Sequence, residues 1–398
     1  MGLVALGGLL LSAFLWARAL ARGVRAQRRL QYAAVQVGDE LEEFLTLDNQ
    51  THLPVLWAEA VDRSSLPGYT VSSVRAADAQ SMTRWHVRAI CSRRGVFTLG
   101  PWELRLGDPF GMFLVRQVYT QPQNLVVYPP LAALPAHLLP HAATTGEHRL
   151  LRQPLRAETI NAISTRPHVP GDPLRHCHWP TTARRAEPYI KVFEPEATST
   201  LWLIPDFDRA AHVGQGEDST EETMVILAAS LAAHLLHERL SVGLVAYTEG
   251  PTVLPPRRGE ASLWQFLSAL APLHAECPWP LAQTLERAQS LIAARDRVVV
   301  LTPAVSAEWL GALKRILGRG GAVDVILLDP ASFGGEARAE TGVALLNYAG
   351  LNVQVVRRGE VRPTRAAYGE LRRWEFMTLG TGRVVVRQTP RPIPEAGV

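Results

Sequence analysis

The second half of the chain alternates short apolar runs with longer segments of helical periodicity. The apolar runs predict strands at residues 201–206, 241–247, 297–302, 323–329 and 352–356. Apolar residues at helical spacing predict helices at residues 220–239, 262–270, 281–294, 307–317 and 338–348. Strands that are apolar throughout and separated by helices are typical of a parallel sheet covered on both faces. We therefore expect an α/β domain at residues 199–360 and a C-terminal tail at residues 361–398.

Residues 33–130 show a different pattern, in which short segments alternate apolar and polar positions and are separated by turn residues. In the segment LEEFLTLDN, Leu41, Phe44 or Leu45, and Leu47 are expected on one face, and a turn follows. Many short strands over about 100 residues are typical of a β-sandwich of immunoglobulin-like size. Prolines are dense between residues 122 and 140. We therefore expect a linker at residues 131–198, between the two domains.

The N-terminus combines an uncharged stretch with a basic one. Residues 2–17 are dominated by Leu, Ala and Val, and five arginines follow them, namely Arg18, Arg22, Arg25, Arg28 and Arg29. The uncharged part would give about 24 Å of helix, and snorkelling by Arg18 would bring it to the thickness of a hydrocarbon core, about 30 Å. We therefore expect a transmembrane anchor at residues 1–22. The arginines could also hold anionic lipid, although setting the orientation of the helix is the simpler explanation.

The position of these charges also predicts an orientation. Because basic residues stay on the cytoplasmic side, we expect a single-pass protein of the cell membrane whose folded domains are cytoplasmic. A signal peptide places its charges ahead of the apolar run, but Ala19-Leu20-Ala21 resembles a cleavage site, so this alternative stays open. So short an anchor also suggests a second, upstream helix as its partner.

Composition narrows the classes of function. Of the 398 residues, 47% are hydrophobic and 20% are charged, which favours ordered globular domains. The net charge is +4, but the arginines are scattered and no recognition motif accompanies them, so we expect no nucleic-acid partner. Cys91, Cys177 and Cys277 are far apart in the sequence, which is typical of buried thiols rather than of a disulfide framework.

The segment at residues 170–184, PGDPLRHCHWPTTAR, carries the most unusual mixture of side chains. Pro170-Gly171 predicts a turn, Asp172 a helix cap, and Trp179-Pro180 the end of a short helix. Its basic and aromatic side chains, Arg175, Trp179 and Arg184, fit either a docking surface for another protein or a contact between the two domains. We expect the neighbouring residues His168, His176, Cys177 and His178 to pack rather than to bind metal, since no carboxylate pair or second cysteine lies at ligand spacing.

Two segments together resemble one protein family. The pattern P-G-D-x-x-R-x-x-x-W-x-x-x-A-R at residues 170–184 (the first signature) and the stretch RRGVFTLGPWELRLGDPFGMF at residues 93–113 (the second signature) are similar to the prokaryotic domain-of-unknown-function family 58. In the second signature the resemblance rests on Arg93, Arg94, Gly95, Gly100, Pro101, Gly107, Asp108, Pro109 and Phe110. Its glycines suit turns between strands and lack the spacing of a phosphate-binding loop. Asp108-Pro109-Phe110-Gly111 predicts a tight turn with an aromatic plug.

The resemblance implies that the α/β domain is von Willebrand factor A-like. Such domains typically hold a divalent cation through D-x-S-x-S, a threonine in a later loop and an aspartate after the fourth strand. Here the first element is Asp206-Phe207-Asp208-Arg209-Ala210, without either hydroxyl, and Thr302 stands where the last aspartate is expected. We therefore expect no functional metal site, a vestigial pair in Asp206 and Asp208, and Asp206 capping nearby amides.

The resemblance also implies a partner, because members of the family are thought to work beside MoxR-type AAA+ ATPases in the assembly of other proteins. The sequence contains neither G-x-S-x-G nor H-E-x-x-H, so we expect a binding protein without a cofactor rather than an enzyme. Its contact loops are expected near Asp206, Thr248 and Thr302. Two alternatives stay open: a metal-dependent, adhesion-type module, and a hydrolase with a nucleophile beside His234, His237 or His274.

Overall fold

The structure is a computed structural model. It describes residues 2–139, 162–167, 177–185, 187–193, 200–294, 296–306, 308–363, 374–378 and 384–388. The chain begins with helix α1 (Gly2–Gly23), most of whose surface is exposed. Among the described residues, α1 is the one helix long and apolar enough to cross a membrane, a property that it shares with signal sequences.

Antiparallel sheets form the N-terminal half of the protein. Their strands are β1 (Val24–Leu30), β2 (Ala34–Gln36), β3 (Glu40–Asn49), β4 (Val55–Asp62), β5 (Ser73–Ala77), β6 (Ser81–Ile90), β7 (Gly95–Leu99), β8 (Trp102–Gly107), β9 (Leu114–Tyr119) and β10 (Gln123–Tyr128). They pair in the orders β1-β3-β6, β2-β10-β7 and β5-β4-β8-β9, and only the β2–β10 pair is parallel among them. One buried cluster of apolar side chains joins all three sheets. The expected all-β domain is therefore present, and the structure adds β1 ahead of residue 33.

The alternation in β3 explains the inner face of this domain. Leu41, Leu45 and Leu47 are fully buried, as the pattern predicted, and the same period places Glu43 inward. Burial raises the pKa of Glu43, although the hydrogen bond and charge of Arg28 act to lower it. Arg28 pairs with Glu43 and, at 2.9 Å, with Asp62.

Arg28 differs from the other four arginines that the sequence placed beside the membrane. Its side chain is 4% exposed, inside the all-β domain, so it is not available to lipid. Arg18, Arg22, Arg25 and Arg29 are exposed.

A six-stranded mixed sheet forms the core of the second domain. Its strands are β13 (Thr200–Pro205), β14 (Ser241–Tyr247), β15 (Pro251–Arg257), β16 (Arg297–Thr302), β17 (Ala322–Leu328) and β18 (Asn352–Val356), in the order β15-β14-β13-β16-β17-β18. The five strands other than β15 run parallel, but β15 is antiparallel to β14. The expectation of a purely parallel sheet was therefore wrong. The sequence PTVLPPR resembles a loop because of its prolines, which an edge strand tolerates.

Helices cover this sheet, and their apolar stripes account for their positions. They are α3 (Thr220–His237), α4 (Glu260–Leu270), α5 (Leu281–Ala288), α6 (Leu310–Gly318) and α7 (Ala339–Tyr348). Helix α3 begins at the cap Ser219, whose hydroxyl accepts from the Glu222 N–H at 3.1 Å, and it is buried along most of its length. Between the domains lie β11 (Ala162–Pro167), α2 (Trp179–Arg185) and β12 (Tyr189–Phe193), and β19 (Trp374–Thr378) pairs with β20 (Val384–Gln388) near the C-terminus.

The proline-rich stretch after β10 packs against the second domain over its described part. Leu131, Ala132 and Leu138 are buried in the same apolar cluster as α3 and β13. The Ala132 N–H also donates to Ser230 Oγ of α3 at 2.8 Å. This part of the predicted linker therefore contributes to the core.

Candidate functional site

Asp206 lies directly after β13, at the carboxyl edge of the parallel strands, and is 1% exposed. Its Oδ2 accepts a hydrogen bond from Thr302 Oγ1, at the end of β16, over 2.6 Å. Its Oδ1 accepts from the Asp208 N–H over 3.1 Å. Both carboxyl oxygens are therefore satisfied within the protein, and Asp206 caps a local amide as its place after a strand indicated.

Burial sets the protonation of this carboxyl group. It raises the pKa of Asp206 above its ordinary value, whereas the hydrogen bonds from Thr302 and from the Asp208 amide act in the opposite direction and only partly compensate. Thr302 stabilises the Asp206 carboxyl group with a neutral hydroxyl donor, and a cation is not needed to satisfy its oxygens. The arrangement suits a structural carboxyl group better than an ion ligand.

The His212 side chain contacts the Asp206 backbone, and Cys277 lies nearby. His212 Nε2 donates to the Asp206 carbonyl oxygen at 2.7 Å, and its Nδ1 lies 3.0 Å from Thr220 Oγ1 at the start of α3. The Cys277 N–H donates to the Phe207 carbonyl at 3.0 Å. Burial raises the pKa of the Cys277 thiol, and the nearby charges of Asp206 and Asp208 add to the effect. Such a thiol is a poor nucleophile near neutral pH.

Asp208 and Thr248, the other residues expected at this edge, each lie in a local turn. Asp208 Oδ1 accepts from the Ala210 N–H at 3.0 Å, which forms a local turn. Thr248 lies in the turn between β14 and β15, where its N–H donates to the Gly250 carbonyl. Among the residues that the structure describes, no three His, Cys, Asp or Glu side chains are close enough to share a metal ion.

Only the end of the first signature falls within the described residues. Pro170, Gly171, Asp172, Arg175, His168 and His176 lie outside them. Trp179 and Pro180 begin α2 rather than end a helix, which corrects the sequence-based expectation. The physical reason is that proline has no N–H to lose in the first helical turn, and the His178 carbonyl accepts from the N–H groups of Thr181 and Thr182.

The exposed face of α2 carries the aromatic and basic residues of the signature. The Trp179 side chain is 68% exposed, and Arg184 is also exposed. Cys177, by contrast, is buried, and its Sγ lies 3.4 Å from Thr182 Oγ1. His178 Nδ1 lies 2.8 Å from Thr181 Oγ1. Cys177 and His178 therefore support the start of α2, while Trp179 and Arg184 remain available to another molecule.

The second signature supplies the contact between the two domains. Arg94 precedes β7, yet its side chain reaches the first turn of α3 and is 1% exposed. It contacts Glu221 at 2.8 Å and Glu222 at 2.9 Å. The same guanidinium donates to three carbonyls at the end of α4, those of Leu270, Ala271 and Leu273. We call this set the Arg94 clasp.

His274 completes the Arg94 clasp on its exposed side. Its Nδ1 lies 2.9 Å from Glu221 Oε1. Burial acts to raise the pKa of Glu221, but the hydrogen bond from His274 and the charge of Arg94 outweigh it, so that the pKa is lowered. His274 thus contacts a carboxylate of the clasp, while His234 and His237 lie in the last turn of α3. In the sequence, Glu221 and Glu222 are typical acidic residues of a first helical turn. No sequence motif connects them with Arg94.

The remaining residues of the second signature shape turns and strand ends. Arg93 is exposed, Gly95 begins β7, and Gly100-Pro101 precedes β8. Gly107 leaves room for the ring of Trp57, since a Cβ there would lie 2.5 Å from its Nε1. Asp108 is buried and organises the predicted tight turn, in which Pro109 and Phe110 are exposed. Phe110, at 54% exposure, is therefore not a plug.

Comparison with known proteins identifies the family of the α/β half. Residues 164–341 match a family model described as "Protein of unknown function DUF58". Over these residues the chain matches the DUF58 family. The match confirms the resemblance that the first signature carries, whereas the second signature, at residues 93–113, lies outside the matched residues. The chain is also 24% identical over 291 residues to the "Uncharacterized protein YeaD" of Bacillus subtilis (strain 168), which covers 70% of each protein.

Solved structures align with a smaller part of the chain. The CARDB domain of the PF1109 protein from Pyrococcus furiosus matches with 8% identity and a TM-score of 0.20, over 26% of this chain and 91% of that one. The sporulation control protein Spo0M from Bacillus subtilis matches with 7% identity and a TM-score of 0.18, over 26% and 49% of the two chains. These scores are too low to assign either protein's fold to this chain.

Proposed function

We propose that this DUF58 protein is a membrane-anchored factor that binds other proteins and assists their assembly, with a MoxR-type AAA+ ATPase as partner. The observation that carries the proposal is Trp179, a large aromatic side chain that is 68% exposed on the short helix that also carries the exposed, basic Arg184. Tryptophan and arginine are the residues most enriched among the energetic anchors of protein interfaces. The docking alternative for the first signature is therefore favoured over an interdomain contact.

Two other features support a binding role. The carboxyl groups at the sheet edge are hydrogen-bonded within the protein, and the buried Cys277 thiol has a raised pKa, so this edge offers little to a catalytic mechanism. The Arg94 clasp meanwhile joins the two domains with a buried charge. A rigid pair of domains can present a fixed surface to a partner.

The proposed location rests on α1. It is 22 residues long, about 33 Å as a helix, and the exposed arginines Arg18, Arg22, Arg25 and Arg29 lie at or beyond its C-terminal end. This charge distribution supports a single-pass anchor with the folded domains in the cytoplasm. A von Willebrand A-like fold for the α/β domain and an immunoglobulin-like fold for the all-β domain belong to the same proposal.

The test is capture of a MoxR-type ATPase from the same organism, with the full chain in detergent or nanodiscs as bait. Trp179→Ala should weaken binding about fivefold or more, because truncating an aromatic anchor costs over about 1 kcal/mol. Tyr348→Ala is the matched control, since Tyr348 is an aromatic residue on α7 that is 95% exposed. Equal binding by the parent protein and by both Trp179→Ala and Arg184→Ala would reject the docking role of α2.

A further inference from the structure

A group of exposed apolar side chains lies at the turn between β8 and β9. We call residues 108–114 the 108–114 turn. Phe110 is 54% exposed, Met112 37% and Leu114 59%. Exposed apolar residues are ordinary when single, but three in one short turn form a patch that indicates a contact with another apolar phase.

The turn is held in this shape by Asp108. One carboxylate oxygen accepts from the Phe110 N–H at 2.8 Å, and the other accepts from the Phe113 N–H. The Gly111 N–H donates to the Asp108 carbonyl, and Gly111 has a φ of +69°, which glycine adopts without strain. Desolvation acts to raise the pKa of Asp108, but these backbone donors outweigh it and lower the pKa. The apolar side chains are thus fixed in an outward position before any partner arrives.

The turn lies beside the apolar helix α1. The rings of Phe14 and Phe113 meet edge to face with their centroids 5.8 Å apart. Farther along β9, Gln117 Nε2 donates to the Val24 carbonyl at 2.9 Å, and Tyr119 Oη accepts from the Ala26 N–H. Val24 therefore lies beside Gln117 and Phe14 lies beside Phe113, so the 108–114 turn meets α1 near the middle of the helix.

The exposed residues of α1 indicate the depth at which the turn would lie relative to a bilayer. Leu11, Phe14 and Leu15 are between 46% and 59% exposed, and the apolar surface continues toward Leu3. Arg18 begins the charged part of the helix, one turn beyond Phe14. In a helix that enters a bilayer, the first arginine lies near the headgroups and the apolar residues before it lie among the acyl chains. Phe113, which contacts Phe14, is therefore at the edge of the acyl region.

We propose that the 108–114 turn enters the bilayer beside α1, with Phe110 and Met112 at the boundary between headgroups and acyl chains. The inference rests on the proposed anchor and deepens it, because it makes the all-β domain part of the membrane contact. Lipid is the occupant that the structure favours, since Phe113 of the turn contacts Phe14 on the exposed apolar helix α1. Apolar side chains at such a boundary typically enter by about 5–10 Å.

The test uses the full chain in phosphatidylcholine nanodiscs with an environment-sensitive fluorophore on one cysteine. The cysteines at positions 91, 177 and 277 are buried, so labels introduced at the surface should be selective. Met112→Cys carries the test label, and Phe110→Cys replaces it if the first variant fails to fold. Thr120→Cys is the matched control, because Thr120 is exposed just past the opposite end of β9, about 20 Å from Leu114.

Lipids with a nitroxide near the headgroup should quench the Met112 label several-fold more strongly than the Thr120 label, and iodide in water should do the reverse. A label at Leu6→Cys reports on the anchor itself. If nitroxides quench the Leu6 label but treat the Met112 and Thr120 labels alike, the turn proposal is wrong and the anchor stands. If the Leu6 label stays accessible to iodide, both proposals are wrong. A Met112 label shielded from both quenchers would indicate a protein partner and would also reject the turn proposal.

Discussion

Arg94 and Glu221 form an ion pair of 2.8 Å across 127 residues of sequence, and this pair joins the all-β domain to the α/β domain. The Arg94 guanidinium lies between the first turn of α3 and the C-terminal end of α4. Glu221 and Glu222 lie in the first turn of α3, and the α4 carbonyls that Arg94 binds lie at a helix C-terminus, which favours a cation. One guanidinium therefore supplies the charged part of the domain contact, beside the apolar packing of Leu131, Ala132 and Leu138.

Removing that guanidinium should destabilise the protein. Arg94→Ala removes one donor from each of three carbonyls and the cationic partner from two carboxylates, of which Glu221 keeps its contact with His274. Breaking a buried pair costs about 3–5 kcal/mol, and we expect the lower end because Glu221 and Glu222 are 22% and 26% exposed. Urea unfolding followed by fluorescence measures the change. Arg93→Ala is the control, since Arg93 is exposed and its loss should change stability by about 0.5 kcal/mol or less. Equal effects of the two changes would contradict the clasp.

The raised pKa of Asp206 predicts a pH-dependent effect of Asp206→Asn. An acid whose pKa is higher in the folded state binds more protons when folded, so its contribution to stability falls as the pH rises from the unfolded value, 3.8, through the folded one. Asparagine does not titrate. The stability of the variant relative to the parent should therefore increase over that range of pH and then stay constant. Denaturant unfolding of both proteins at several pH values measures it, and a difference that is independent of pH would contradict the assignment.

Thr302→Val tests the same site from its other side. Valine has nearly the shape of threonine but cannot donate to Asp206 Oδ2, which would then be buried without a partner. An unsatisfied buried acceptor costs about 1–3 kcal/mol, so the free energy of unfolding should fall by that amount at neutral pH. In the Asp206→Asn background the cost should differ, because an amide replaces the carboxyl acceptor. A double-mutant cycle measures this coupling, and strict additivity would argue against it.

Divalent cations should leave the α/β domain unchanged. Since Thr302 and the Asp208 amide occupy both oxygens of Asp206, we expect calorimetric titration with Mg²⁺, Ca²⁺ or Mn²⁺ to give no heat of binding. Micromolar binding that Asp206→Ala abolishes would contradict this expectation and would favour a metal-dependent binding module.

Gly107→Ala should destabilise the all-β domain through a steric clash. The added Cβ would lie 2.5 Å from Trp57 Nε1, so the indole would have to move within a packed environment. Overpacking of this kind costs about 1–3 kcal/mol. Gly311→Ala is the control, because no atom outside α6 lies within 4 Å of that position and alanine favours helix by up to about 1 kcal/mol. Thermal unfolding of both variants measures the contrast; a loss at Gly107 no larger than at Gly311 would count against the clash.

The elements of the α/β domain were largely predictable, because their pattern is local. The apolar run at 241–247 matches β14, and the helix at 220–239 differs from α3 only at its end. β15 was missed because its prolines conceal an edge strand. The two arginines were missed for another reason: Arg28 was expected to be exposed near the membrane, and no partner was predicted for Arg94. Their ion pairs depend on tertiary contacts, and an arginine looks alike in sequence whether it is exposed or buried.

The junction of α1 and β1 contains no intervening residue, since the helix ends at Gly23 and the strand begins at Val24. β1 is paired with β3 along its whole length, from Val24 opposite Asn49 to Leu30 opposite Glu43. A tether of this kind cannot swivel. A force on the α/β domain would be transmitted to α1 through the Arg94 clasp and the all-β domain. That force would change the tilt of the helix, because no residue between α1 and β1 lets the domains reorient separately.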